Sequence, residues 1–258
     1  MHRLLPAALI NQGQQQLLGL FLAGHCPLCQ RSTPEPLCPS CRRQVRQCQS
    51  AAPCDLSQLG LAVVSWGRYE GSLRQLIGSL KYDGHQNIAQ FLGIELGRTW
   101  LDQRPTLPRP PRPIAIVPIP LHPTKLQQRG FNQADLIARW FCRLTQLPLY
   151  SQSLLRIQAT QAQHSLGYRD RQRNLTQAFA VAPSQINQLR NTTVWLIDDI
   201  FTTGATAQSA AQTLRRSGIS VGGVCTAARA IAWSAATAET STLPHKSANC
   251  TSNLKPRT

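Results

Sequence analysis

Residues 194–206 read VWLIDDIFTTGAT, a stretch that places two acids between an apolar run and a hydroxyl-rich segment. The four residues before Asp198 are apolar, so the pattern predicts a buried strand that points at Asp198 and Asp199. Residues 207–216 are good helix formers and stop before Gly218, which predicts a helix there. The sequence therefore predicts a ligand-binding loop between a strand end and a helix start, where open α/β sheets bind their ligands.

The predicted loop has the chemistry of an anion site. A helix amino terminus presents unpaired N–H groups and a partial positive charge, which together hold a phosphate. A glycine in the loop lets the backbone approach a ligand closely, and the threonines can add hydroxyl donors. The residues of this loop are Thr202, Thr203, Gly204, Ala205 and Thr206. The loop lacks the lysine and the glycine spacing of a Walker A motif.

The two acids suit another part of the same ligand. Carboxylates accept hydrogen bonds from vicinal hydroxyls, such as those of a ribose, or they bind Mg²⁺. A ribose 5-phosphate fits both halves of the stretch, with its hydroxyls on Asp198 and Asp199 and its phosphate in the loop. The alternative is that the acids end a strand and cap a helix without any ligand.

Nine cysteines include two CxxC pairs near the start of the chain. The pairs are separated by eight residues and consist of Cys26, Cys29, Cys38 and Cys41. Two CxxC turns can supply a tetrahedral four-cysteine zinc site, which has no open position for catalysis and is therefore structural. A redox pair or four ordinary cysteines are the alternatives. Cys48 and Cys54 follow closely and could substitute as ligands.

Strands and helices alternate through most of residues 60–228, which predicts an α/β fold with a mainly parallel sheet covered on both faces. The pattern predicts strands at 61–66 and 114–117, and helices at 73–80, 86–101 and 133–144. We interpret 1–23 as an N-terminal helical segment, 24–56 as a zinc-ribbon-like module, 60–230 as the main domain and 231–258 as a disordered tail. Residues 156–179 are polar enough to predict a mobile surface segment.

The chain is strongly basic, with 27 Lys and Arg against 11 Asp and Glu and a net charge of +16. This balance favours an anionic partner such as nucleic acid, a phosphorylated metabolite or an acidic membrane surface, although a generally basic protein is the alternative. Residues 98–173 hold twelve Lys and Arg and three Asp and Glu. The apolar runs near the start are too short to cross a bilayer. We expect a cytoplasmic location, with peripheral attachment to the inner membrane as the alternative.

Several motifs resemble known families. Residues 194–206 resemble the thirteen-residue phosphoribosyl pyrophosphate (PRPP) signature of type I phosphoribosyltransferases. The double CxxC followed in order by YEGSLRQLIGSLKYDG, VPIPLHPTKLQQRGFNQA and TQAQHSLGYRDRQRN resembles the ComF/GntX family. These blocks extend from Cys26 to Asn174, and the signature carries the resemblance on to Thr206.

The resemblance implies a type I phosphoribosyltransferase fold with a zinc-binding N-terminal module, and a role in DNA uptake during natural transformation beside a DNA-uptake helicase. It assigns Asp198 and Asp199 to ribose hydroxyls and Mg²⁺, and residues 202–206 to the 5-phosphate. Lys125 and Arg129 follow the strand that would carry the pyrophosphate loop. Three arginines would belong to a flexible lid: Arg169, Arg171 and Arg173. A solvated surface is the alternative for these five basic residues.

Three functional hypotheses follow from these features. The first is a Mg²⁺-dependent phosphoribosyltransferase, although no stretch predicts a pocket for an acceptor base, and His122 and His164 suit a surface role as well as acid/base work. The second is a non-catalytic PRPP-binding protein of DNA uptake. The third is single-stranded DNA binding along residues 98–173, with Tyr168 as the best stacking candidate.

Overall fold

A computed structural model describes residues 24–56, 60–157 and 178–230 of the 258-residue chain. The helical segment predicted at 1–23, most of the predicted surface segment at 156–179 and the tail predicted at 231–258 lie outside the described residues.

Helices and strands alternate along the described chain. The helices are α1 (Pro39–Arg46), α2 (Gly71–Tyr82), α3 (Ile88–Gln103), α4 (Pro123–Arg129), α5 (Gln133–Thr145), α6 (Ile186–Arg190) and α7 (Ala205–Arg216). The strands are β1 (Cys54–Asp55), β2 (Ala62–Arg68), β3 (Ile114–Pro118), β4 (Leu154–Arg156), β5 (Phe179–Val181), β6 (Thr193–Phe201) and β7 (Ser220–Arg229). The strands and helices predicted from periodicity are therefore present, with ends shifted by a few residues.

Five strands form the central sheet in the order β1-β2-β7-β6-β3. The edge strand β1 is antiparallel to β2, and the other three pairings are parallel. The strands β4 and β5 form a separate antiparallel pair. The predicted mainly parallel sheet is confirmed.

The sheet is covered on both faces because its strands alternate their apolar side chains. One face packs against α1, α2, α3 and α5 through a core that includes Val45, Leu73, Leu92, Ile137 and, from the sheet, Val64, Ile116 and Ile197. The other face packs against α6, α7 and the β4–β5 pair through Leu189, Leu214, Phe179 and, from the sheet, Val63, Val117 and Leu196. Strand β6 is consequently buried between two neighbouring strands and two helical layers.

The start of α5 is fixed by its cap. The Asn132 side chain accepts a hydrogen bond from the Ala134 N–H at 3.1 Å and donates another to the Ile119 carbonyl oxygen at 3.0 Å. The cap therefore ties the first turn of α5 to the segment that follows β3. Later in the helix, α5 approaches α3 so closely that a Cβ added at Gly93 would lie 2.5 Å from the Ile137 carbonyl oxygen.

The N-terminal module is built onto the sheet rather than set apart from it. Its buried residues Cys26, Leu37 and Val45 belong to the same apolar core as α2 and α3. Arg46 of α1 also pairs with Glu95 of α3 at 2.7 Å. The last residues of the module form β1, which adds an edge strand to the sheet.

Two predicted boundaries were wrong. The strand predicted to end before Asp198 continues to Phe201, because β7 supplies pairing partners as far as Arg229. The segment predicted as surface at 156–179 is structured at its ends, where Arg156 pairs with Phe179 and the Phe179 ring is buried. Propensity alone misses both cases because the partner strands are distant in sequence.

Across the described ranges, no helix combines the length and the apolar composition that a membrane span requires.

Candidate functional site

Four cysteine side chains converge near the start of α1. The ligand atoms of Cys26, Cys29, Cys38 and Cys41 all lie within 4.8 Å of one another. The Cys29 and Cys38 sulfurs are 3.6 Å apart, close to the S–S edge of about 3.8 Å that a tetrahedron with Zn–S bonds of about 2.3 Å requires. Four sulfur donors in this arrangement fit Zn²⁺, so these cysteines could hold a structural metal.

The charges that the four sulfurs can carry also favour a metal. Burial opposes ionisation of Cys26, but backbone hydrogen bonds from Cys38, Leu28 and Cys29 outweigh it and lower the pKa of this thiol to about 6. Burial and the neighbouring thiols raise the pKa of Cys41 instead. Four neighbouring thiolates repel one another, and a bound Zn²⁺ would offset that repulsion. Cys48 was an alternative ligand in the sequence-based prediction. It contacts Glu70 and Ser72 and lies outside the cluster of four cysteines.

A second site lies at the carboxyl edge of the sheet, where the parallel strands end side by side. Asp198 lines a recess with the loop that follows β6 and the first turn of α7. The recess holds about 240 Å³ of empty space including its open mouth, and it is lined by Asp198, Ile200, Phe201, Thr202, Gly204, Thr206, Ala207, Val224 and Thr226. The lining thus combines one carboxylate, three threonines and a helix amino terminus.

The half of the recess that the sequence predicts to bind an anion is a helix start without a side-chain cap. Gly204 occupies the N-cap position of α7 with φ +76°, a left-handed conformation that favours glycine. Ala205 and Thr206 form the first turn of the helix rather than part of a loop. The Thr203 hydroxyl accepts a hydrogen bond from the Ala205 N–H at 3.4 Å.

Asp199 points to the opposite side of the sheet, as alternation along a strand requires. Its carboxylate forms an ion pair with Lys81 from the last turn of α2 and accepts a hydrogen bond from Gln133 of α5 at 3.4 Å. Asp199 is therefore absent from the residues that line the recess. The two adjacent acids, which the sequence assigns jointly to ribose and Mg²⁺, have different surroundings.

Asp198 lies in a setting that disfavours its charge. Burial raises the pKa of this carboxyl, and the Asp199 charge raises it further. The Asp199 N–H donates to the Asp198 carboxylate at 2.8 Å, and this hydrogen bond and Lys81 act in the opposite direction. Arg156 of β4 faces Asp198: burial lowers the pKa of its guanidinium, and the Asp198 charge raises it.

The predicted pyrophosphate residues are placed differently from one another. Arg129, at the end of α4, donates to the Gln133 side chain and so reaches the surroundings of Asp199. Lys125 is exposed one turn earlier on α4. His122 accepts a hydrogen bond from the Thr124 N–H at 3.3 Å and caps α4. The predicted lid arginines lie outside the described part of the chain, as do the acid/base candidate His164 and the stacking candidate Tyr168; the lid arginines are Arg169, Arg171 and Arg173.

Sequence reasoning missed Lys81, Gln133 and Arg156. Lys81 belongs to the motif YEGSLRQLIGSLKYDG at 69–84, but this motif does not show that the end of α2 reaches the end of β6. The signal available was a cationic side chain near the end of a predicted amphipathic helix.

A larger recess lies at the opposite, amino edge of the sheet. It holds about 1040 Å³ of empty space including its open mouth, between the proline-rich segment and the starts of β3 and β6. Three of its lining residues are the exposed arginines Arg104, Arg109 and Arg112. Its floor contains Trp100 and Trp195, and the Arg104 guanidinium lies 5.4 Å from the centre of the Trp100 ring.

Loss of one cysteine ligand tests the metal centre. We expect Cys38→Ser to remove zinc and to lower the free energy of unfolding by several kcal/mol, against about 1 kcal/mol for an ordinary substitution, because the metal stabilises the module. Zinc content by mass spectrometry and denaturant unfolding measure both effects. Cys54→Ser is the control and should retain one zinc per chain. Equal zinc content in wild type and Cys38→Ser would contradict the assignment.

The two acids should respond oppositely to neutralisation. Because the pKa of Asp198 is raised in the folded state, its ionisation destabilises the fold as pH rises from the ordinary Asp range through the raised value. Asp198→Asn should therefore raise the free energy of unfolding at neutral pH, and this gain should vanish as pH falls below about 4. Asp199→Asn should instead cost about 2 kcal/mol, because it leaves Lys81 without its anion.

Denaturant unfolding of both variants across pH measures these effects. A loss of stability in Asp198→Asn at neutral pH, similar to that of Asp199→Asn, would show that Asp198 is not destabilising.

Comparison with known proteins places the chain among competence proteins. It is 33% identical over 204 residues to DNA utilization protein YhgH of Escherichia coli K12, a match that covers 76% of this chain and 86% of that protein. It is 36% identical over 107 residues to competence protein F of Haemophilus influenzae, covering 42% and 46% of the two chains, so this match spans about half of that relative. It is 26% identical over 202 residues to competence protein ComFC of Bacillus subtilis, covering 76% and 74%.

No protein-family model matches the chain. The identity to YhgH over most of both proteins is nevertheless sufficient to show kinship, and the family resemblance stated from the motifs is confirmed. The chain belongs to the ComF family of competence and DNA-utilization proteins.

Proposed function

We propose that this protein binds PRPP at the carboxyl edge of its sheet and acts in DNA uptake during natural transformation. The observation that carries the ligand is the recess in which Asp198 faces the threonine-rich loop and the start of α7. The process is supported by the names of the relatives, which are competence and DNA-utilization proteins. A DNA-uptake helicase is the partner that this process implies.

Each part of the recess suits a different part of PRPP. The α7 amino terminus and the hydroxyls of Thr202, Thr203 and Thr206 bind the 5-phosphate. Asp198 accepts a hydrogen bond from a ribose hydroxyl, and Asp199 holds the end of β6 against α2 through its ion pair with Lys81. The proposed fold is that of a type I phosphoribosyltransferase, supported by the parallel sheet and by the position of the signature at its carboxyl edge.

The pyrophosphate of PRPP falls on the side of α4. Arg129 and Lys125 supply positive charge there, and the lid arginines Arg169, Arg171 and Arg173 add to it in the proposed closed complex. When bound with PRPP, Mg²⁺ neutralises charge on the pyrophosphate.

Calorimetry with PRPP and Mg²⁺ tests this site. Wild type should bind, and Asp198→Asn should weaken binding about tenfold or more, because a hydrogen bond to a charged group contributes about 1.5–3 kcal/mol. Asp102→Asn is the matched control, since it makes the same charge change at the far end of α3 and should bind like wild type. No heat with wild type, or equal affinity in Asp198→Asn, would refute the proposed site.

The alternative function is transfer of ribose 5-phosphate from PRPP to an acceptor. This reaction needs the partners positioned and charge stabilised rather than a covalent nucleophile, so the residues of the recess are compatible with it. Release of pyrophosphate that depends on an added base or amine would favour the transferase. PRPP binding without such release would favour a regulatory role for the site.

A second candidate function is single-stranded DNA binding, favoured by the recess at the amino edge. Its exposed arginines provide phosphate contacts on a surface remote from the carboxyl edge. Its tryptophans are almost fully buried, Trp100 at 1% and Trp195 at 4% exposure, so phosphate contacts rather than stacking would dominate.

Salt-dependent binding of a labelled oligothymidine tests this function. For wild type, log affinity should fall linearly with log salt, and Arg104→Ala/Arg109→Ala should reduce the slope by about 0.7 for each lost phosphate contact. Arg139→Ala/Arg143→Ala, on α5, is the control with the same charge change. A salt-insensitive affinity would exclude the function, and equal losses in both variants would indicate a generally basic surface. A loss confined to Arg169→Ala/Arg171→Ala would place the DNA on the lid.

A further inference from the structure

Lys81 supplies a positive charge beside Asp198 and Asp199, where a dissolved cation would otherwise be needed. Its ammonium group pairs with Asp199, and the two side chains are 17% and 6% exposed. Charged groups buried to this extent persist only as partners of an opposite charge. The pair joins the end of α2 to the end of β6.

We propose that Lys81 is the resident counter-cation of the acid pair: it positions Asp199 and neutralises the carboxyl edge, so that a ribose phosphate binds there with no divalent ion ligated by Asp198 or Asp199. The proposal rests on the proposed sugar-phosphate site and concerns how that site is charged. In this proposal, Mg²⁺ binds only together with the pyrophosphate of the ligand.

The oxygen atoms of the two acids do not fit a directly bound Mg²⁺. This ion requires six oxygen ligands in a near-octahedral arrangement at about 2.0–2.1 Å. One Asp199 oxygen faces the Lys81 ammonium group, and the other faces the Gln133 amide nitrogen at 3.4 Å. One Asp198 oxygen accepts the Asp199 N–H at 2.8 Å.

The chain itself supplies positive charge to the acid pair. Lys81 from α2 contacts Asp199 and also acts on the Asp198 charge, and Arg156 from β4 interacts electrostatically with Asp198. An incoming phosphate therefore meets an edge whose negative charge the chain partly offsets, with Lys81 in the place where a metal bridge to Asp199 would lie.

Lys81 is also linked to the residues proposed for pyrophosphate. Tyr82, its neighbour, lies under the Arg129 guanidinium at 5.7 Å from the ring centre. Arg129 in turn donates to Gln133, which donates to Asp199. The end of α2 thus contacts both halves of the proposed ligand site.

Divalent metal binding without any sugar tests the proposal directly. The probe is Mn²⁺, and its binding to zinc-loaded protein is measured by electron paramagnetic resonance. Trace metals are removed from the buffer with a chelating resin rather than with EDTA, because EDTA would compete for the zinc. Wild type should bind no Mn²⁺ at the acid pair. Lys81→Met should gain one site, and Lys81→Met/Asp199→Asn should lose it again. Lys81→Arg, which keeps the charge, and Arg139→Met, which frees the carboxylate of Asp135, should both resemble wild type.

A wild-type Mn²⁺ site that disappears in Asp199→Asn would overturn the proposal. So would a folded Lys81→Met protein, verified by circular dichroism, that gains no site.

Ribose 5-phosphate, which lacks the pyrophosphate, separates this proposal from the proposed function. Calorimetry should give the same wild-type Kd with and without Mg²⁺ within about twofold. Lys81→Met should bind about tenfold more weakly without Mg²⁺ and should recover affinity when Mg²⁺ is added, because the ion replaces the lost charge. Wild-type binding that requires Mg²⁺ would refute the Lys81 proposal alone. Absence of binding under both conditions would refute the sugar-phosphate site, and the Mn²⁺ measurement would still decide the role of Lys81.

Discussion

Two neighbouring carboxylates at the end of a strand buried on both faces impose the constraint on which the carboxyl edge depends. Strand β6 lies between β3 and β7, with helices above and below, so its acids receive little help from water. Alternation along the strand directs Asp198 toward the recess and Asp199 toward α2. Lys81 pairs with Asp199, whereas the Asp199 N–H and Lys81 only partly offset the burial of Asp198, whose pKa stays raised. The edge therefore combines Asp199, which has a charged partner, with Asp198, which faces the recess and whose ionisation is disfavoured by burial.

The cysteine module and the sheet form one stabilising unit. The module contributes β1 to the sheet, Val45 to the core beneath α2 and α3, and Arg46 to an ion pair with Glu95. A metal held by the four cysteines would thus stabilise the layer that includes α2, the helix that carries Lys81. This arrangement connects the metal centre to the carboxyl edge through packing rather than through direct contact.

The fold was largely predictable from the sequence because local patterns and tertiary packing agree over long elements. Apolar periodicity located β2, β3, α2, α3 and α5. The predictions failed where pairing partners lie far away in the chain. The pairing of Asp198 with Thr226 extends β6, and the pairing of Arg156 with Phe179 joins the two ends of a segment too polar to predict as strand.

The sequence by itself determined which chemical groups the chain brings to its two candidate sites: four cysteines spaced for one metal, and two acids beside a glycine and threonine loop at a strand end. These features depend on residue type and short-range spacing, which a linear pattern contains. Only the tertiary structure decided that Asp198 faces the recess while Asp199 faces Lys81, and that Gln133 and Arg129 approach from α5 and α4. Those contacts depend on how helices pack across the sheet, and side chains distant in sequence meet there only after the chain has folded.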